Sequence, residues 1–206
     1  MREFVLKSIL GGILISLGGF VYLASGMTII GAVLFAFGLI TVILSGANLF
    51  TGKSGFCNSL EDYVRLIWIL LLNVVGCFMM GYVAKHMDVS TIIEARLRKG
   101  LVDILLLSVC TGMIMTIAVN YGKRKEMLPL LFGVPLFISC GMPHCIADAF
   151  YYSIYYWQTY SLSLGLLCVW VVSIIGNFIG CILPTKLFKI WKVKRTTDKT
   201  TNQEWN

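Results

Sequence analysis

The sequence predicts an all-α, polytopic membrane protein of six transmembrane helices, arranged as an inverted repeat of three plus three with broken second and fifth helices. Three observations carry this. Of 206 residues, 58% are hydrophobic and only 13% charged, whereas a soluble domain needs about 25% charged residues to cover its surface. Residues 8–52, 66–84, 104–122 and 149–185 contain no Asp, Glu, Lys or Arg at all. Finally, each half carries a polar break in its second span and an Asn-x-x-Gly in its third.

The elements follow in order. A span needs roughly 20 apolar residues, so the charge-free run 8–52 and its neighbours hold two, over 4–24 and 27–51. The first lacks a small-residue cleavage site followed by a polar stretch, so it reads as a retained helix. The second ends in Ser45-Gly-Ala-Asn-Leu-Phe-Thr-Gly52, a polar interruption. The third, 64–84, carries Asn73-Val-Val-Gly76, and the fourth covers 100–121. The fifth, 127–156, is interrupted at Ser139-Cys-Gly-Met-Pro-His144, and the sixth, 161–185, carries Asn177-Phe-Ile-Gly180. Three spans per half is an odd number, so the halves must run in opposite orientation, with the site at the two interrupted helices. Residues 1–190 form one transmembrane domain; 191–206 read as a basic, disordered cytoplasmic tail. Tyr151-Tyr-Ser-Ile-Tyr-Tyr-Trp157, with Tyr160, reads as an outer interfacial belt.

The net charge of +7 is a topology signal, and no nucleic-acid partner is expected. Thirteen of the 17 Lys and Arg residues fall on one side of a six-span layout; only Lys85, Arg96, Arg98 and Lys99 fall on the other. The positive-inside rule then puts both termini in the cytoplasm, in the inner membrane. The seven cysteines form no CxxC pair, and most lie within spans as small packing residues, so neither metal nor cofactor is expected.

His144 is the residue that most needs a reason. An ionisable group at membrane depth is costly and by default marks a substrate or ion path, and a backbone break there is tolerated only where it is buried or lines a cavity. Gly141 and Pro143 supply the break beside it. Pro143 suits the first turn of a helix, so a half-helix starting there would aim a partly positive end at the pore. The restart near Ser45–Thr51 would do the same, and such an environment suits a monovalent anion. Asp148, four residues after His144, would share its face and favour the charged imidazole. Thr51 can bond an anion or merely cap a helix. Arg96, Arg98 and Lys99 either gather anions by their field or form a solvated loop face.

In the second span Phe37-Gly-Leu-Ile-Thr-Val-Ile-Leu-Ser-Gly-Ala-Asn-Leu-Phe-Thr-Gly52 resembles a signature of the formate/nitrite transporter family that usually ends G-A-E-L-F-T-G. Gly141-Met-Pro-His-Cys-Ile-Ala-Asp148 resembles its G-F-E-H-S-V-A-N, and Ile175-Gly-Asn-Phe-Ile-Gly180 its G-N-x-x-G. The resemblance implies an aquaporin-like six-helix protomer, a homopentamer with one pore per protomer in the lipid bilayer, and passage of small monovalent anions such as formate, nitrite or hydrosulfide. His144 matches the central pore histidine and Thr51 the threonine facing it. Phe35 and Leu39 match constriction residues on the inner part of the second span, Leu49 and Phe50 those on the outer part, and Phe137 a further constriction phenylalanine. Arg96 is the nearest counterpart of an outer-vestibule lysine. The chain departs from the family where Asn48 replaces the signature glutamate, Pro143 the glutamate before the histidine, and Asp148 the asparagine after it.

The leading reading is therefore a channel for a small monovalent anion, crossing with a proton as its weak acid. Removing water from a full charge costs many kcal/mol, and a proton from His144 lowers that barrier. A water or glycerol pore is the alternative, although the paired Asn-Pro-Ala breaks of aquaporins are missing. A membrane enzyme built on His144, Asp148 and Cys145 is less supported, because no base–nucleophile or metal-ligand set is present; no enzyme is expected.

Overall fold

A computed structural model describes residues 1–187, and these are all-helical. The basic tail expected over 191–206 lies outside the described residues. The helices are α1 (Arg2–Ala24), α2 (Ile29–Ser45), α3 (Phe50–Lys53), α4 (Leu60–Val83), α5 (Ser90–Arg98), α6 (Leu101–Lys123), α7 (Leu128–Ser139), α8 (Cys145–Thr159) and α9 (Leu164–Ile182). A 3₁₀ turn, Ser54–Phe56, follows α3, and a π turn, Leu183–Leu187, follows α9.

Among the described residues, four helices are long and apolar enough to cross a membrane: α1, α4, α6 and α9 with its π turn. The pair α2 and α3, bent by 56° at the break, makes a fifth. The expected fifth span, 127–156, is divided: α7 has 12 residues and α8 has 15. At 1.5 Å per residue these measure roughly 18 and 22 Å, each short of a hydrocarbon core of about 30 Å. The sequence reading missed α5 altogether. It is polar, so apolar scanning passes over it, yet Asp88 Oδ1 accepts the Ser90 N–H (2.8 Å) to start it. That bond holds the Asp88 carboxyl below its usual range, so it is present at neutral pH and lost as pH falls through the lowered value.

Two helix pairs form the rigid seams, α1 on α4 and α6 on α9. Both are backbone-to-backbone contacts at glycine, as small residues allow in membranes. A Cβ on Gly12 would strike the carbonyl of Asn73, and one on Gly112 the carbonyl of Asn177. Gly76 and Gly180 press on Ile9 and Val109 in the same way.

The seams position two breaks that are built alike. Each first half-helix is ended by a left-handed glycine, Gly46 (φ 66°) and Gly141 (φ 60°), a conformation costly for other residues. Three residues later an extended residue, Leu49 or His144, precedes the restart. Asn73 Oδ1 accepts the Phe50 N–H (2.9 Å), and its amide donates to the carbonyls of Ser8 (2.6 Å) and Asn48 (2.9 Å). Asn177 Oδ1 accepts the Cys145 N–H (2.8 Å), and its amide donates to the carbonyls of Ser108 (2.9 Å) and Pro143 (3.1 Å). These bonds satisfy backbone groups that have no water to turn to.

One difference separates the breaks. The Asn48 amide also donates to Ser8 Oγ (3.2 Å), but Pro143, in the matching place, has no polar side chain to offer. Ser108 Oγ is accordingly buried with no hydrogen-bond partner among the described residues. Ser8→Ala should therefore cost about 1 kcal/mol, whereas Ser108→Ala should be neutral or stabilising. Thermal midpoints in detergent check this; equal losses at both serines would contradict it.

Candidate functional site

His144 is the N-cap of α8, and its burial (2% exposed) places it between the two helices of the break. The Ala147 N–H donates to its Nδ1 (3.1 Å). An atom that accepts an N–H carries no proton, so a neutral ring holds its hydrogen on Nε2. Nε2 lies 3.0 Å from Thr51 Oγ1, and the ring therefore donates to the threonine. Thr51 is buried at the start of α3, so this bond joins the two restarted half-helices. Phe137, from α7, stacks on the imidazole with centroids 5.5 Å apart and planes at 23°.

On one side of this pair lies a cavity of about 190 Å³, lined by Tyr22, Phe35, Phe137, Tyr151, His144, Arg96, Lys99 and Asp148 among others. On a second face, a smaller cavity of about 90 Å³ is lined by Val42, Leu49, Gly52, Lys53, Val119 and Lys123 among others. Leu39 and Phe50 are buried and line neither cavity.

Several expectations need correction. Phe35 shares its cavity with Arg96, and Leu49 shares the other with Lys53. Chain direction accounts for this: α2 runs back from the end of α1, so its early residues belong to the Arg96 side. Pro143 does not open α8. It stands one residue before the cap, where its carbonyl accepts from Asn177. The N–H groups of Cys145 and Ala147 are bound by Asn177 and His144, which leaves the start of α8 few donors for an anion. The restart in the second span begins at Phe50 and lasts four residues, so its dipole is small. Asn48 spends its amide on Ser8. The aromatic run is also divided: Tyr151 and Tyr152 are buried, while Trp157 packs on Phe78 and Tyr82 near the helix end.

The Asp148 carboxylate does not engage the His144 ring; only its backbone N–H reaches back, to the His144 carbonyl (2.8 Å). As a cap, His144 lies outside the helical register, and its ring turns back on its own helix. Asp148, one turn later and fully buried, meets Arg96 of α5. Arg96 Nε donates to both carboxylate oxygens (3.2 Å each) and Nη2 to Oδ1 (3.0 Å). Nη1 donates to the Gly141 carbonyl (2.8 Å). Arg96 is thus 6% exposed rather than on a solvated loop face. Among the described residues no group of three or more His, Cys, Asp or Glu side chains could hold a metal ion.

A multi-pass membrane protein whose two interrupted helices meet at a buried histidine, each with a cavity beside it, is defined by this fold and site. The chain matches the profile of the formate/nitrite transporter family over residues 1–191, and it belongs to that family. Its fold is similar to that of a pentameric formate channel with formate bound, at 17% identity and a TM-score of 0.73, over 91% of this chain and 94% of that one. A second similar structure, described as an FNT family ion channel, has 17% identity and a TM-score of 0.78, over 92% of this chain and 89% of that one. No curated protein matches the sequence.

Proposed function

We propose that the protein is a channel for a small monovalent anion of the formate, nitrite or hydrosulfide type, and that the anion crosses the apolar part of the pore as its protonated weak acid. In this reading α7 and α8 together make a sixth, broken span. The chain is then an inverted repeat of three plus three, with both termini in the cytoplasm and a homopentamer in the inner membrane. The matched hydrogen bonding of Asn73 and Asn177 at the two breaks supports the repeat; the pentameric relative supports the assembly.

The observation that carries the function is the buried Thr51–His144 contact beneath a cavity that also holds Lys99. Anions enter by the field of Lys99, which lines the vestibule. They lose water between Phe35 and Phe137, where full charge is least tolerated. At His144 the anion gains a proton, and the neutral acid passes Leu39, Leu49 and Phe50. The two carboxylates missing at Asn48 and Pro143 remove negative charge from both breaks, which favours an anion.

Uptake into proteoliposomes of formate, nitrite and hydrosulfide, compared from about pH 5 to about pH 8, tests this. Anion uptake that rises with acidity is the expected result. Osmotic water flux without anion uptake would replace the reading with a neutral-solute pore.

A further inference from the structure

We infer that Arg96 is a positioning residue, clamping the α7–α8 break together with Asp148 so that His144 is held at the pore, rather than a cation that receives the anion. The inference rests on the proposed channel reading for its transport arm only.

The charge on Arg96 is already used. Its guanidinium faces the buried Asp148 carboxylate with three contacts of 3.0–3.2 Å. Its remaining donors reach the Gly141 carbonyl at 2.8 Å and, more weakly, the Met142 carbonyl at 3.5 Å. Those carbonyls belong to the left-handed turn between the half-helices, and no helical N–H is available to satisfy them. The pair is therefore close to neutral as seen from the cavity, while Lys99, which lines the same cavity, is not part of it.

The geometry explains how a residue on α5 governs His144. The clamp fixes the chain at Gly141 and Met142, before the histidine, and at Asp148, after it. Asn177 fixes Pro143 and Cys145 between them. His144 has neighbours held on both sides, so its ring position follows from theirs. Arg suits this task because its planar fork serves a carboxylate and a carbonyl at once; a lysine at the same place keeps the charge and loses the fork.

The experiment compares Arg96→Lys, Asp148→Asn, the double variant Arg96→Gln/Asp148→Asn, and Lys99→Gln. Formate flux is measured against concentration and ionic strength, alongside hydrogen exchange of the 141–148 segment in the full-length protein. For the clamp, Arg96→Lys and Asp148→Asn each lower maximal flux by about tenfold or more, since a buried pair broken on one side leaves the other group uncompensated. In Arg96→Lys, which keeps the charge, half-saturation and salt dependence stay native, and in both variants exchange across 141–148 quickens. The double variant, with neither charge left unpaired, recovers part of the flux. Lys99→Gln supplies the contrast: half-saturation rises and the ionic-strength dependence flattens.

Native maximal flux in Arg96→Lys would overturn the inference. So would a rise in half-saturation in that variant matching the rise in Lys99→Gln. Should Arg96→Lys fail to fold, the near-isosteric Asp148→Asn decides by maximal flux and by exchange: native values of both overturn the inference. If the native protein carries no formate, the same fluxes are read with nitrite or hydrosulfide; if it carries none of the three, the channel reading fails and exchange alone judges the clamp: faster exchange in Asp148→Asn sustains it, and unchanged exchange overturns it.

Discussion

Replacing His144 by asparagine is expected to abolish the rise in anion flux on acidification, lowering flux near pH 5 by about tenfold or more. Alanine at the same place should do the same, but asparagine is the sharper test. Asparagine is a good N-cap, so it keeps an acceptor for the Ala147 N–H that Nδ1 now receives. What it loses is the ability to take up a proton. In the native ring the single hydrogen of the neutral form lies on Nε2, toward Thr51. A second proton can enter only at Nδ1, where it displaces the Ala147 cap. Acid-driven transport therefore has a structural signature: protection of the Ala147 amide, taken relative to its intrinsic exchange rate at each pH, should fall with pH, and His144→Asn should remove that effect together with the flux rise. An unchanged pH profile in His144→Asn would end the proton-assisted reading.

Asn177→Ala carries the second large effect. One side chain makes three hydrogen bonds at the second break. Truncation frees the Cys145 N–H and the Pro143 carbonyl in a buried place, and each unsatisfied group costs about 1–3 kcal/mol. A loss of about 3 kcal/mol or more is expected, read as a lower thermal midpoint in detergent and as less assembled protein. Asn73→Ala should be comparably damaging, because its three bonds at the first break match these. A midpoint shift no larger than that of Ser8→Ala would show that the break holds its shape without Asn177.

Much of this was legible in the sequence, for identifiable reasons. A histidine beside Gly and Pro in an apolar run has few innocent explanations, and an Asn-x-x-Gly recurring at matching places marks the bond that each break needs. The distribution of charge set the span limits to within a few residues for α1, α4 and α6. What failed was whatever depends on neighbours distant in the chain. Arg96 and Asp148 are 52 positions apart, and nothing in local spacing pairs them. The signal that could have found α5 is short: Asp88 before Ser90, then Glu94 and Arg98 four apart, which bond at 2.8 Å. That Phe35 lies with Arg96 and Leu49 with Lys53 was within reach, since consecutive spans run in opposite directions.

The glycine seams have a consequence for how such a pore opens. With α1 pressed on α4 and α6 on α9 at the level of the backbone, neither pair can slide without a collision of main-chain atoms. The frame behaves as a fixed orifice, and what remains free to move is the upholstery: rings such as Phe35 and Phe137, turning about their own bonds. Both rings are buried, so they turn more slowly than the picoseconds to nanoseconds of exposed side chains, while collective helix shifts take microseconds or longer. In the proposed channel, an aperture of this kind is opened by its lining and not by its frame.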